Sequence, residues 1–335
     1  MARPNDRRKS AAPDTPQSKP KSKTYSASGN PAKAAAAPTV ARGPATARDW
    51  IAGARLRTLP LAISPVALGT GAGVVLIADG PWHPIRAVLA LVVALALQIG
   101  VNYANDYSDG IRGTDDHRVG PARLTGSGLA KPRHVLVVAL AFFGVAALAG
   151  LALTIITQQW WLLAVGAVAI VAAWFYTGGK RPYGYAGLGE LVVFVFFGLV
   201  ATLGSTWVQA GTVNIESILG GVGVGLIACA VLMANNLRDI PQDRVVGKRT
   251  LAVRVGPVAG RVLFALFLLV PFGIAAFLAV LYPAAILVQF ALLAALPACA
   301  IAIWGRTPRE LITALQLASV TSLAYGIGLG LVFAL

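Results

Sequence analysis

The segment AVLALVVALALQIGVNYANDYSDG, residues 87–110, is a long apolar run that ends in asparagine and aspartate. A second segment, GVGVGLIACAVLMANNLRDIPQD at residues 221–243, repeats this arrangement. Apolar runs of about 20 residues are long enough to cross the hydrocarbon core of a bilayer as helices. The two segments therefore predict membrane-spanning helices whose acidic ends reach the aqueous boundary.

The composition of the whole chain favours a polytopic membrane protein. Of its 335 residues, 57% are hydrophobic and only 12% are charged, whereas soluble domains carry about 25% charged residues. We predict an all-α protein with nine transmembrane helices. The predicted spans are residues 58–78, 86–106, 134–157, 160–176, 188–209, 217–237, 261–281, 284–304 and 311–334.

The distribution of the basic residues predicts an orientation. The net charge of +15 is compatible with nucleic-acid binding, but the loops after spans 2, 4, 6 and 8 carry fifteen basic residues and the loops after spans 1, 3, 5 and 7 carry only Arg86. Basic residues concentrate in cytoplasmic loops. We therefore expect no nucleic-acid partner, a multi-pass protein of the plasma membrane, a cytoplasmic N-terminus and a C-terminus outside.

The first 48 residues differ from the rest of the chain. They contain seven prolines and almost no large apolar groups, so they cannot bury enough surface to fold. We predict a disordered, basic cytoplasmic tail over residues 1–48 and one membrane domain over residues 49–335. Residues 48–57 predict a short interfacial helix, with Trp50 at the level of the lipid headgroups.

The polar ends of the two segments suggest a metal site. Six of the 13 acidic residues lie in or just after them, and side chains four residues apart share a helix face. The pairs at this spacing are Asn102 and Asp106, Asn105 and Asp109, Asn235 and Asp239, and Asp239 and Asp243. Crowded carboxylates repel one another, and Mg²⁺ binds such oxygens together with substrate phosphates. The alternative is that these residues only terminate helices at an interface.

Two loops on the same predicted side extend this hypothesis. Gly178 and Gly179 precede Lys180 and Arg181, and cationic side chains of this kind neutralise phosphate oxygens. The same residues also suit an ordinary basic loop at the membrane surface. The long loop over residues 110–128 is a candidate cap over the site, in which Asp115 either binds metal or pairs with arginine. Because no Asp, Glu, Lys or Arg lies in the interior of a predicted span, away from its ends, a divalent-cation transporter is the weaker alternative.

The motifs Asn105-Asp106-x-x-Asp109, Asp239-x-x-x-Asp243 and Tyr176-x-x-x-Lys180 resemble those of the UbiA superfamily of membrane aromatic prenyltransferases. The resemblance covers about residues 48–335. Residues 55–61 and 236–254 are similar to the branch that prenylates 1,4-dihydroxy-2-naphthoate in menaquinone synthesis. The chain departs from the superfamily at Gly113, where a third aspartate is frequent, so the third ligand of the first metal stays open.

The resemblance implies nine helices around a central cavity open to the cytoplasmic side, two Mg²⁺ ions, and a lipid bilayer around the protein. It implies transfer of a polyprenyl group from polyprenyl diphosphate to 1,4-dihydroxy-2-naphthoate, with release of diphosphate and CO2. The acceptors 4-hydroxybenzoate and homogentisate remain alternatives. The implied catalytic residues are Asp106, Asp109, Asp239, Asp243, Lys180 and Tyr176. The implied metal ligands are Asn105, Asp106, Asp109, Asp115, Asp239 and Asp243. The implied substrate-binding residues are Asn102, Asn105, Asn236, Arg118, Arg123, Arg238, Arg55, Arg57 and Tyr107.

Overall fold

The computed structural model describes residues 44–77, 80–115 and 123–335, and these ranges contain helices and turns but no β-strand. The predicted all-α class is therefore confirmed. The helices are α1 Ala47–Gly53, α2 Pro60–Val75, α3 Pro84–Ile111, α4 Pro132–Thr157, α5 Trp161–Phe175, α6 Gly189–Val193, α7 Ala201–Ala210, α8 Ile215–Val245, α9 Leu251–Leu281, α10 Leu292–Trp304 and α11 Pro308–Ala334. A π-helical segment, Phe194–Val200, joins α6 to α7, and 3-10 turns lie at Leu56–Thr58, Tyr183–Ala186 and Pro283–Ala291.

The helices confirm a polytopic membrane protein. In the described part of the chain, seven helices are long and apolar enough to cross a membrane, and an eighth span results if Ala47–Thr58 and Pro60–Val75, bent by 47°, act as one. The fourth predicted span, residues 160–176, corresponds to α5, which has only 15 residues. At 1.5 Å per residue, α5 is about 22 Å long, shorter than the hydrocarbon core of about 30 Å.

The membrane domain begins with a capped helix. The Thr46 side chain accepts a hydrogen bond from the backbone of Asp49, and the Asp49 carboxylate accepts one from the backbone of Thr46. This capping box fixes the start of α1, within the region where a short helix was expected. Most of the predicted tail, residues 1–43, lies outside the described residues.

The larger apolar core is formed by α2, α8, α9, α10 and α11, with Phe264 and Leu268 fully buried. Small residues allow the closest helix contact. A Cβ added at Gly71 of α2 would lie 2.0 Å from the carbonyl oxygen of Gly330 of α11. Close backbone approach of this kind is a common basis of helix packing in membranes.

A second, smaller apolar core lies between α3, α4 and the C-terminal end of α1. It contains Tyr103, Leu124, Val135 and Phe143, and the Tyr103 hydroxyl donates to the carbonyl of Trp50 at 2.5 Å. Leu124 belongs to this core, so the chain at Leu124 is held against α3. Helices α2 to α8 all contribute to the wall of one cavity.

Candidate active site

The two acidic segments meet in one cavity of about 360 Å³. The last turns of α3 contribute Asn105 and Asp109 to its wall, and the last turns of α8 contribute Asp239 and Asp243. The two helices are more than one hundred residues apart in the sequence, yet their C-terminal ends line the same cavity. The convergence that the sequence predicts is therefore present in the fold.

Asp109 is the centre of the polar end of the cavity. Its Oδ1 accepts a hydrogen bond from the Tyr185 hydroxyl at 2.5 Å, and its Oδ2 lies 2.9 Å from Arg123 Nη1 and 3.4 Å from Lys248 Nζ. Lys248 follows α8, so this contact links the two acidic segments directly. Burial and the neighbouring Asp109 carboxylate raise the pKa of the Tyr185 hydroxyl, which therefore stays protonated and donates.

Arg123 is a buried cation that bridges two carboxylates. Its Nη1 lies 2.9 Å from Asp109 and 3.3 Å from Asp115, and it also donates to the carbonyl of Asn105 at 3.0 Å. Burial lowers the pKa of Arg123, but the Asp109 and Asp115 carboxylates outweigh burial and raise it above the usual value. Arg123 lines the cavity as predicted, whereas Asp115 lies behind it and off the cavity wall.

The α8 carboxylates have partners on their own side of the cavity. Arg238 donates to both oxygens of Asp239, at 2.7 and 2.6 Å, and to Asn235 at 2.8 Å. Asp243 accepts a hydrogen bond from Thr250 at 3.5 Å. Arg238 itself is not part of the cavity wall, so its contribution is to hold Asp239 in place and to balance its charge.

Three asparagines on the cavity wall are fixed by hydrogen bonds. Asn105 Oδ1 accepts from the Thr177 hydroxyl at 2.7 Å, and Asn102 Nδ2 donates to a backbone carbonyl in the turn before α2 at 3.0 Å. Asn236 Nδ2 donates to Glu190 Oε1 at 2.9 Å. The predicted residues Asn102, Asn105 and Asn236 are therefore all located at the cavity.

Two further predicted residues line the cavity. Tyr176 packs edge-on against Tyr183, with ring centroids 5.6 Å apart. Arg55 has a left-handed backbone conformation, with φ 54°. Non-glycine residues in this conformation are uncommon and concentrate at functional sites.

The structure places other predicted site residues away from the cavity wall. The Asp106 carboxylate accepts hydrogen bonds at 2.8 Å from the backbone N–H groups of Leu124 and Thr125, so it anchors the segment that follows α3. Lys180 is exposed, and Tyr107 packs against Trp174 at 6.4 Å between ring centroids.

Arg57 is half-buried and also lies off the wall. The predicted residue Arg118 lies outside the described residues.

Three residues at the site were not predicted: Lys248, Tyr185 and Glu190. In the sequence, Glu190 could have been noticed only because it is a single acidic residue at the start of an apolar run. Lys248 and Tyr185 lie in loops whose approach to Asp109 depends on tertiary packing.

Beyond its polar end, the cavity is an apolar channel. Its wall continues along α4, α5 and α7 through small and apolar residues, among them Gly150, Gly166, Ala169, Gly204 and Val208. On α3 the wall extends from Asp109 back to Ala90, a rise of about 28 Å at 1.5 Å per residue. The channel therefore has nearly the depth of the bilayer core.

The donor set at the polar end fits Mg²⁺. Among the described residues, no three His, Cys, Asp or Glu side chains are placed to hold a metal ion by themselves. Mg²⁺, however, is usually bound by one or two carboxylates together with water and substrate phosphates. Asp109 on one side and Asp239 and Asp243 on the other provide such carboxylates around one cavity, with amide oxygens between them.

Fold and cavity together define a class of protein. It is a polytopic helical membrane protein whose cavity joins clustered carboxylates and cations to a long apolar channel, an arrangement that suits an amphiphile with an anionic head. A sequence model of the UbiA prenyltransferase family matches residues 64–332, and the chain belongs to this family.

Individual relatives agree with this assignment. The chain is 57% identical over 216 residues to 1,4-dihydroxy-2-naphthoate octaprenyltransferase of Mycobacterium tuberculosis, covering 64% of this chain and 73% of that protein. It is 41% identical over 219 residues to the Escherichia coli protein of the same name, covering 63% and 70%.

Solved structures share the fold at low sequence identity. A UbiA homologue from Archaeoglobus fulgidus bound to GPP and Mg²⁺ superposes with a TM-score of 0.59 at 14% identity, covering 84% of this chain and 99% of that one. A UbiA homologue from Aeropyrum pernix gives a TM-score of 0.61 at 16% identity, covering 81% and 95%.

Proposed function

We propose that this protein transfers a polyprenyl group from polyprenyl diphosphate to 1,4-dihydroxy-2-naphthoate, with release of diphosphate and CO2, giving the reduced (quinol) form of demethylmenaquinone. One observation carries the proposal: both acidic segments and a channel of bilayer depth belong to the same cavity. The names of the relatives at 57% and 41% identity support this activity and this acceptor.

The diphosphate binds at the polar end of the cavity. Asp109 with Asn105 would hold one Mg²⁺, and Asp239 and Asp243 with Asn236 would hold a second. When bound, Mg²⁺ neutralises charge that develops on the leaving diphosphate, as a Lewis acid. Lys248 and Arg123, which contact Asp109 in this structure, supply fixed positive charge to the phosphate oxygens.

The isoprenoid tail lies in the apolar channel. Burial of the tail excludes water from the allylic carbon, where the C–O bond to diphosphate breaks. The Tyr176 ring lines the cavity near the acidic residues, and an aromatic face stabilises a nearby cation by about 0.5–2 kcal/mol. Tyr176 is therefore placed to stabilise the allylic cation until the acceptor ring attacks it.

Arg55 holds the carboxylate of the acceptor. It lines the same cavity, and a guanidinium group matches a carboxylate with two parallel hydrogen bonds. The acceptor ring carbon forms a bond with the prenyl carbon after the C–O bond to diphosphate breaks. Loss of the carboxylate as CO2 leaves its bonding electron pair in the ring and restores aromaticity, with no net release of a proton. Positioning the ring beside the cation replaces an encounter in solution, which is a large part of catalysis in such reactions.

The remaining features concern the membrane. We count α5 as a span, which brings the number of spans to nine, and we assign the acidic end of the cavity to the cytoplasmic face of the plasma membrane, with the C-terminus outside. The excess of basic residues in the loops at that end supports this orientation. Residues 49–335 belong to the catalytic domain.

The decisive test is a turnover assay. Purified protein is incubated with a polyprenyl diphosphate, Mg²⁺ and one acceptor at a time: 1,4-dihydroxy-2-naphthoate, 4-hydroxybenzoate or homogentisate. Mass spectrometry should detect a prenylated, decarboxylated product from the naphthoate. Turnover of another acceptor alone would overturn the assignment of the acceptor, and the absence of any prenyl product would overturn the proposed function.

A further inference from the structure

Gln98 lies on the cavity wall, deeper in the membrane than the acidic residues. It is on α3, seven residues before Asn105, and its side chain is 6% exposed. Its Nε2 donates to the hydroxyl oxygen of Thr58 at 3.0 Å. A polar side chain buried at this depth is costly unless its hydrogen bonds are satisfied, so both ends of the amide need a partner.

The orientation of the Gln98 amide follows from its neighbours. The Thr58 hydroxyl donates its single proton to the carbonyl of Arg55 at 3.0 Å, so Thr58 can only accept from Gln98. The nitrogen of the amide must therefore point at Thr58. The other end is the oxygen Oε1, and this buried atom has no hydrogen-bond partner among the described residues.

We propose that Gln98 recognises a ring hydroxyl of the aromatic acceptor, a role that rests on the proposed function. An unpartnered carbonyl oxygen at a binding cavity needs a donor, and the acceptor's hydroxyl groups are donors. In 1,4-dihydroxy-2-naphthoate the hydroxyl beside the carboxylate is engaged by that carboxylate within the molecule. Gln98 Oε1 therefore accepts a hydrogen bond from the other hydroxyl, at position 4.

The turn that contains Arg55 and Thr58 connects the residues that bind the two polar ends of the acceptor, its carboxylate and its 4-hydroxyl group. Arg55 and Gln98 both line the cavity and are connected through Thr58, which bonds to the Arg55 carbonyl and to the Gln98 amide. A second side chain from α3, Asn102, donates to the carbonyl of Ala54. The turn that carries Arg55 is thus fixed from α3 at two points, so Arg55 and Gln98 keep a constant relative position.

The test measures acceptor binding without turnover. Isothermal titration calorimetry of the full chain in lipid nanodiscs compares 4-hydroxy-2-naphthoate with 2-naphthoate, which lacks the hydroxyl. We expect the wild type to bind the hydroxylated ligand about 3- to 10-fold more tightly, the net size of one hydrogen bond. Gln98→Met, which keeps the length and removes the oxygen, should reduce this ratio to about one.

Two further variants control for folding and for burial. Thr58→Val keeps Gln98 but removes the group that orients its amide, and it should also reduce the ratio. The Thr202 hydroxyl is likewise buried without a partner in the described chain, but Thr202 does not line the cavity. Thr202→Val should therefore keep the wild-type ratio, and thermal unfolding of Gln98→Met and Thr58→Val confirms that both variants are folded.

The outcomes separate this inference from the proposed function. The role of Gln98 is overturned if the wild type binds the two naphthoates equally tightly, or if its preference for the hydroxylated ligand persists in Gln98→Met and Thr58→Val. In either case, binding of both naphthoates still supports the acceptor assignment. If the wild type binds neither naphthoate, the acceptor assignment fails as well.

Discussion

Replacing Lys248 tests whether this lysine supplies positive charge to the leaving diphosphate. Lys248 Nζ lies 3.4 Å from Asp109 and 4.5 Å from the Tyr185 ring centroid, and its side chain is only 12% exposed. Two unit charges about 4 Å apart near a protein surface interact by about 4 kcal/mol. Loss of one fixed charge on a leaving group typically lowers kcat by about 100- to 1000-fold, and we expect Lys248→Met to fall in this range.

Lys180 offers a matched control, because it is also a lysine of this face but its side chain is exposed. The assay is steady-state prenyl transfer, with kcat and KM for the prenyl diphosphate and with thermal unfolding to confirm that each variant is folded. Lys180→Met should change kcat/KM by less than about threefold, because exposed charges are screened. A loss in Lys180→Met equal to or larger than that in Lys248→Met would refute the assignment.

Four further predictions concern other parts of the structure. Asp106→Ala should lower the free energy of unfolding by about 3 kcal/mol, because two backbone N–H groups lose a charged partner, and limited proteolysis near residue 123 should accelerate. Tyr185→Phe should lower kcat/KM about 10- to 150-fold in the transfer assay, because Asp109 loses a charged hydrogen bond worth about 1.5–3 kcal/mol. Gly71→Ala should destabilise the protein in thermal unfolding by about 1–3 kcal/mol through overpacking, whereas Gly144→Ala, where no described atom lies within 4 Å of the added Cβ, should be neutral. Chelation with EDTA should abolish binding of prenyl diphosphate in calorimetry, and added Mg²⁺ should restore it.

The sequence predicted the meeting of the two acidic segments but not which side of α3 faces the cavity. Asn102, Asn105 and Asp109 line it, and their spacing of three and four residues is that of one helix face. Asp106 follows Asn105 directly and is therefore rotated by about 100° around the helix. It points to the segment after α3 instead. Conversely, the stripe of Asn235, Asp239 and Asp243 on α8 was read correctly from its four-residue spacing.

The loops at the site could not be predicted from local sequence. Lys180 and Lys248 both follow helices at this end of the bundle, and only the packing of the loops decides that Lys248 reaches Asp109. Tyr185 lies in a short turn over Tyr183–Ala186, and nothing in its neighbours along the chain indicates a carboxylate partner. The number of spans could not be predicted from apolar composition alone, because α5 is apolar throughout but shorter than the bilayer core.

The central claim is that both acidic segments bind one diphosphate through divalent cations. The most direct test is an experimental structure with a prenyl S-thiolodiphosphate, which resists ionisation, and with Mn²⁺, whose anomalous scattering locates the ions. We predict the diphosphate between Asp109 and Asp239, with an ion at each carboxylate and the tail in the apolar channel. A headgroup bound at the exposed basic loop around Lys180, with Asp239 or Asp109 out of reach, would contradict the account.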